Sequence, residues 1–345
     1  ARLRAIFARW QIPYTPYYLT NGIEIPGNFL LRLWLEAQPE VDRVLDSPIM
    51  RPLPREPSLM IGSETLPDNI LWNLYQIHAD KVWREFGVTG EGIIVGHSDS
   101  GVQWTHPELR ERYLGRNGDH NYHWFDPWSR VEEPEDIGGH GTHTLGIIVG
   151  KNTGVAPGAE WFACANLRRN LGNPSLYLDC MQFMLAPFPL AGDPFQDGDP
   201  SRGAMVINNS WGCPRLEGCD VAVLNPAVKA LRTAGIFVVV SAGNDGPQCS
   251  TLNTPPAIYD EAFVIGAIDS SGQLTEFSSI GPVTVDGSGR VKPDLVAPGE
   301  NVLSSTPGDS YASFSGTSMA GPHAVGVVAL MWSANPALIG DIEAT

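Results

Sequence analysis

One pattern constrains this 345-residue chain more than any other. From residue 92 onward, short apolar runs alternate with stretches of helical spacing. GIIVGHSDSG (92–101) precedes HGTHTLGIIVG (140–150), and WFACANL (161–167) precedes YLDCMQFML (177–185). MVINNSWG (205–212) precedes AVKALRTAG (227–235), while IFVVVSAGN (236–244) and FVIGAID (263–269) lead to HAVGVVALMW (323–332). The runs are apolar without strict alternation, as in strands buried on both faces. Such strands need helices as crossovers and covers, so the expected fold is α/β with a mostly parallel central sheet. In sheets of this kind functional residues collect at the carboxyl ends of strands.

The first fifth of the chain reads differently. YYLTNGIEI (17–25) is β-rich, NFLLRLWLEA (28–37) has helical spacing, and VDRVLD (41–46) reads as a short strand. RPLPREPSLMIGSETLPDN (51–69) has no periodicity and four prolines, the composition of a linker. NILWNLYQIHADKVWREFG then reads as one helix ending at Gly87. We therefore divide the chain into a small α+β segment (1–52), a linker (53–69) and a large domain (70–345). ARLRAIFARW lacks the apolar core of a signal peptide, and DIEAT follows closely on a helix, so the chain reads as part of a longer precursor, truncated at its C-terminus.

Composition narrows the partners. A net charge of −16 and a pI near 4.8 oppose binding to nucleic acid or anionic membranes. No run of about 18 apolar residues is present to span a bilayer. The five cysteines form no CxxC pair, which argues against a zinc ribbon or a thioredoxin-like site. Two disulfides and one free thiol are expected in a secreted protein. Cys213 and Cys219 bracket a short loop and Cys164 and Cys180 a longer one, but Cys249 could replace any of them.

Four positions carry candidate chemistry. Asp99 ends one apolar strand and Asn244 another, while His140 and Ser318 open helices behind glycine-rich stretches. Taken singly they are ordinary: a turn Asp, a helix-start His, an N-cap Ser. Together they supply a nucleophile, a base to activate it and an acid to orient the base.

The segments around them, IIVGHSDSGVQWTHPEL, GGHGTHTLG, VVVSAGNDGP and SGTSMAGPH, resemble in order the signature regions of the subtilisin-like serine proteases over roughly residues 70–335. That resemblance implies a three-layer fold and an Asp99–His140–Ser318 triad acting through an acyl-enzyme. It implies Asn244 and the Ser318 amide as the oxyanion hole, with His143 as a structural histidine. It implies that an extended substrate pairs with Ser210, Trp211 and Gly212. Trp211 would line an outer subsite; ordinary core packing is the competing reading. KPDLVAPG (292–299) matches as scaffold. Residues 1–52 are similar to the second half of the inhibitory propeptide of large secreted bacterial members, which implies an intramolecular inhibitor and a maturation site in the linker. The implied protein is a secreted serine endopeptidase of polypeptides needing no cofactor.

Two stretches depart from the family. NGDHNYHWFDPW (117–128) has no assigned role, and the short turn VGKNTGVAPG (149–158) replaces a loop that often holds calcium, so calcium stays open as a structural ion. Two other readings were weighed. Six of the eight histidines, His97, His106, His120, His123, His140 and His143, fall close together, as in a metal-dependent hydrolase, yet no HExxH occurs and SGTSMAG would go unexplained. A latent or non-catalytic peptide-binding protein on the same fold is the other alternative.

Overall fold

The computed structural model describes residues 2–48, 62–168 and 171–345. The N-terminal segment contains α1 (Arg2–Arg9), a hairpin of β1 (Thr15–Tyr17) and β2 (Gly22–Glu24), and α2 (Phe29–Glu36). Asn28 caps α2 by accepting from the Leu31 N–H, satisfying one of the helix's orphan donors. The strand expected at 41–46 is absent and α1 was not anticipated. Residues 41–46 pair with no strand among the described residues. They run over the surface instead, with Arg43 paired to Asp220 at 2.9 Å. Residues 51–61 of the 51–69 stretch lie outside the described residues.

The helix expected before Gly87 is two: α3 (Trp72–Gln76) and α4 (Ala79–Phe86), broken at His78, which adopts φ 60°. Next come β3 (Ile94–Asp99), β4 (Trp124–Phe125), α5 (His140–Val149), β5 (Glu160–Ala165), α6 (Pro174–Leu185), β6 (Val206–Asn209) and α7 (Asn225–Thr233). The chain continues through β7 (Phe237–Ser241), β8 (Phe263–Ile268), β9 (Leu295–Pro298), the hairpin β10 (Val302–Thr306) and β11 (Ser310–Phe314), and α8 (Thr317–Ala334).

Seven strands form one sheet in the order β4-β5-β3-β6-β7-β8-β9, and every pair is parallel. Successive strand residues face opposite sides. Phe162, Ile207, Val238 and Val240 pack with Tyr177, Phe183 and Leu231 of α6 and α7. Trp161, Val206, Phe237 and Val239 pack with Leu145 of α5 and Ala329 and Trp332 of α8. The result is the expected three-layer α/β architecture, with two cores of fully buried side chains worth about 1.5–3 kcal/mol each.

Cys164–Cys180 ties β5 to α6, Cys213–Cys219 closes the short loop after β6, and Cys249 is free and exposed. The N-terminal segment docks on α6. Tyr18 donates its N–H to Gln182 Oε1 at 2.7 Å and its hydroxyl to the Gln182 carbonyl at 3.2 Å. Asn173, the N-cap of α6, donates to the Pro48 carbonyl at 3.0 Å. Among the described residues no helix is long and apolar enough to cross a membrane.

Candidate active site

β3 delivers Asp99 to the carboxyl edge of the sheet, where it is fully buried. Its Oδ1 accepts from the Ser100 N–H and from His140 Nδ1, both at 2.7 Å. Thr144, one turn further along α5, donates to Oδ2 at 3.4 Å. A carboxylate at Nδ1 keeps a proton there and leaves Nε2 with its lone pair toward solvent, as a base requires. Burial alone would raise the Asp99 carboxyl, but the His140 charge and hydrogen bond outweigh it and hold Asp99 below its ordinary value. Burial alone would lower His140; Asp99, with Asp136 behind it, outweighs that and lifts the imidazole above its ordinary value.

Asp136 is the functional-site residue that sequence reasoning missed. It is buried just ahead of α5 and accepts from Ser100 Oγ (2.9 Å), the N–H groups of Gly138 (3.1 Å), Gly139 (2.8 Å) and Thr142 (2.8 Å), and Thr142 Oγ1 (2.6 Å). It thereby fills the orphan donors at the start of the helix that begins with His140, where negative charge also suits the helix dipole. An Asp shortly before a glycine pair and a helix-opening His was the available signal.

Ser318 enters from the opposite side, in the first turn of α8. Asn244 Oδ1 accepts from the Thr317 N–H at 2.8 Å and from Thr317 Oγ1 at 3.0 Å. Two donors on that oxygen orient the amide and leave Asn244 Nδ2 without a partner among the described residues. The Ser318 N–H also has none, as expected of a helix's first turn. A Cβ on Gly316 would lie 3.5 Å from Asn244 Nδ2 and 3.7 Å from Ser318 N, so both donors border one small space that a side chain would crowd. The Ser318 hydroxyl donates to the Ser210 carbonyl at 3.1 Å, and Ser210 Oγ donates back to the Ser318 carbonyl at 2.9 Å. No hydrogen bond joins Ser318 to His140 in this arrangement, and such contacts often tighten only when substrate binds.

Gly212 is exposed, and its backbone N–H and C=O have no partners among the described residues. Trp211 is a correction. Its side chain is 6% exposed, donates Nε1–H to the Ser98 carbonyl at 3.0 Å and stacks on Tyr177, so the indole belongs to the core and not to the wall of an open subsite. His143 is buried between α5 and the β10–β11 hairpin. Its Nε2 reaches the Val302 and Ala312 carbonyls at 3.1 and 2.9 Å, and burial lowers it to about 3, so it stays neutral.

The remaining clustered histidines are dispersed. His97 reaches the Gly141 carbonyl, His106 the Ser310 carbonyl, and His120 pairs with the Tyr113 hydroxyl beside His123. Among the described residues no three His, Cys, Asp or Glu side chains are grouped to hold a metal ion. The short turn after α5 is fastened by Glu108, which accepts from Asn152 through N–H and Nδ2 (2.6 and 2.9 Å) and from the Tyr311 hydroxyl (3.0 Å).

Comparison with known proteins fits this geometry. The sequence pattern of the subtilase family matches residues 90–342. Bacillopeptidase F of Bacillus subtilis (strain 168) is 36% identical over 94% of this chain and 23% of its own length. A thermophilic serine proteinase of Bacillus sp. (strain AK1) is 31% identical over 81% of this chain and 62% of its own. This chain thus spans less than two thirds of either relative. Among solved structures, a cold adapted subtilisin-like serine proteinase superposes with a TM-score of 0.59 at 25% identity, covering 80% of this chain and 89% of that one. The family pattern runs from just before Asp99 to beyond Ser318, and the fold that carries both has a solved subtilisin-like counterpart. The chain belongs to the subtilase family.

Proposed function

We propose that this protein is a serine endopeptidase that hydrolyses peptide bonds through an acyl-enzyme on Ser318. The carrying observation is the 2.7 Å Asp99–His140 hydrogen bond at the same sheet edge as a serine flanked by two unpartnered donors. Ser318 Oγ attacks the scissile carbonyl carbon while His140 Nε2 takes the hydroxyl proton. The C–N bond then breaks, and His140 gives that proton to the leaving amine. Water, deprotonated by His140, releases the acyl group and restores the serine. Asn244 Nδ2 and the Ser318 N–H stabilise the negative oxygen at each tetrahedral stage. Asp99 holds the tautomer and offsets the imidazolium charge.

Polypeptide substrate pairs as an added strand with the exposed backbone at Gly212, beside Ser210 and the buried Trp211. Residues 1–52 act as an intramolecular inhibitor, and maturation cuts within 53–69. The docking of Tyr18 on α6 supports this reading. So does the bacillopeptidase F likeness, whose coverage is too large for residues 1–52 to fall wholly outside it. Two disulfides support secretion. The chemistry needs no cofactor, and calcium enters at most as a structural ion.

Intact-mass analysis after a fluorophosphonate probe tests the assignment. One adduct on the wild type and none on Ser318→Ala is the expected result. A wild type that neither labels nor loses a fragment ending within 53–69 would leave the latent peptide-binding alternative.

A further inference from the structure

Glu217 is a buried carboxylate that the mechanism does not use. It sits in the loop closed by Cys213–Cys219, is 5% exposed, and has no ion-pair partner among the described residues. Its Oε1 accepts from the Gly172 N–H at 3.1 Å and its Oε2 from the Tyr177 hydroxyl at 2.6 Å. Gly172 leads into α6. Tyr177 lies on α6 and stacks on Trp211 at 4.0 Å between centroids and 7° between planes. One carboxylate therefore joins the disulfide loop, the entrance to α6 and the stretch beside the nucleophile. Hiding a carboxylate is costly, and packing alone would be served by an apolar side chain.

The same loop packs against a stretch of this chain's own N-terminal segment. Gly218 adopts φ 89°, and a Cβ there would meet Pro48 Cδ at 2.5 Å and the Asp46 carbonyl at 2.7 Å. At the start of α6, Asn173 Nδ2 donates to the Pro48 carbonyl at 3.0 Å and Ser175 Oγ lies 3.3 Å from Ser47 Oγ. Asp46–Pro48 thus run between Gly218 on one wall and Asn173 and Ser175 on the other, and Glu217 ties those two walls together.

We propose that Glu217 is a positioning residue for substrate selection: it fixes the width of a distal subsite for an extended polypeptide segment several residues before the scissile bond. This rests on the protease reading above. Asp46–Pro48 occupy the subsite as such a substrate segment does, and Pro48 is the residue that sits against Gly218, where a Cβ on the loop would collide with it.

The test uses the full chain processed in its linker and two quenched-fluorescence peptides sharing one scissile bond. The longer extends four residues further toward the N-terminus and carries Ser-Pro there. The wild type is expected to prefer the longer peptide. Glu217→Ala should cut the long-to-short ratio of kcat/KM about tenfold, with the change in KM. Glu217→Gln keeps an oxygen for the Gly172 N–H and should hold the ratio within about threefold of wild type. Gly218→Ala should lower the ratio with Glu217 intact, and it decides the matter if Glu217→Ala does not fold. A wild type without length preference, or a ratio unmoved in Glu217→Ala or in Gly218→Ala, overturns the inference. An unmoved ratio in an enzyme that still labels at Ser318 overturns this inference alone. Absence of both labelling and turnover in the wild type overturns the protease reading and the inference with it.

Discussion

His140 and Ser318 face one reaction space, yet the protein holds them in unlike ways. His140 is gripped through its ring by Asp99, and the backbone that opens its helix is fastened by the five donors that converge on Asp136. Ser318 has a single side-chain hydrogen bond, to a backbone carbonyl, and a free N–H. In the proposed mechanism the base must keep one tautomer and one direction through both halves of the reaction, and its orientation is settled in advance. The proposed nucleophile must leave the Ser210 carbonyl for a substrate carbon; its hydroxyl is lightly held while its backbone is fixed by Asn244 through Thr317. Rigidity is placed where charge and direction matter, and freedom where a bond must form.

The sharpest way to break this comparison is to remove each side in turn. Ser318→Ala should reduce turnover about 10⁶-fold with an unchanged melting temperature; subtilisin, a member of the same family, supplies that magnitude. Casein cleavage by this variant above background would remove Ser318 from the nucleophile role. Asp99→Asn keeps the shape but accepts the wrong tautomer, and a loss of about 10⁴ in kcat is expected, the size known for the corresponding change in another serine protease. A loss below tenfold would mean that the 2.7 Å contact does not set the tautomer.

The donor side comes next. Asn244→Ala should slow turnover about 10²–10³-fold, again a magnitude taken from subtilisin, while Ser318 still labels with fluorophosphonate. It also frees the Thr317 N–H, so a small fall in melting temperature accompanies it. Unchanged kcat would strip Asn244 of its oxyanion role. Asp136→Ala leaves several buried donors unsatisfied at the start of α5, each such loss amounting to about 1–3 kcal/mol. The melting temperature should drop by several degrees and kcat by roughly tenfold, with Asp136→Asn milder in both. If stability falls with kcat intact, Asp136 supports the fold without aiming His140.

The sheet was legible because its strands are buried on both faces, which writes long apolar runs into the sequence; β3, β6, β7 and β8 fall within the expected stretches and β5 begins one residue before its own. The edge strands β4 and β9 and the hairpin β10–β11 were not, because WF is only two residues long, LVAP ends in a proline, and VLSST and SYASF are too rich in small polar residues to mark a strand. Asp99 and Ser318 stood out through the glycines and small residues near them. Asp136 did not, since nothing local separates an Asp that collects five hydrogen bonds from one in an ordinary turn. Trp211 shows the same limit from the other side. Its place beside the nucleophile is in the sequence, but whether the indole turns outward depends on Tyr177, 34 positions earlier. VDRVLD has strand composition but pairs with no strand among the described residues, which only the tertiary arrangement decides.

The smallest expected effect concerns pH, and its sign follows from the same contacts. In the proposed mechanism His140 works as a neutral base, so turnover rises with pH through its pKa. Burial would move that value below the ordinary 6.5, but Asp99, helped by Asp136, outweighs burial and places it above. The acidic limb of kcat/KM for the free enzyme should therefore lie above 6.5, and Asp99→Asn should move it down while lowering the plateau. Stability runs the opposite way. A raised pKa in the folded protein means that the pair contributes fully below about 6.5 and loses its contribution as pH rises through the folded value. Over that window the melting temperature of the wild type should fall as activity rises, and Asp99→Asn should flatten this dependence. An acidic limb at or below 6.5, or a melting temperature that climbs across the same range, would show that burial and not Asp99 governs the imidazole, and the contrast between a gripped base and a lightly held nucleophile would fail at its first contact.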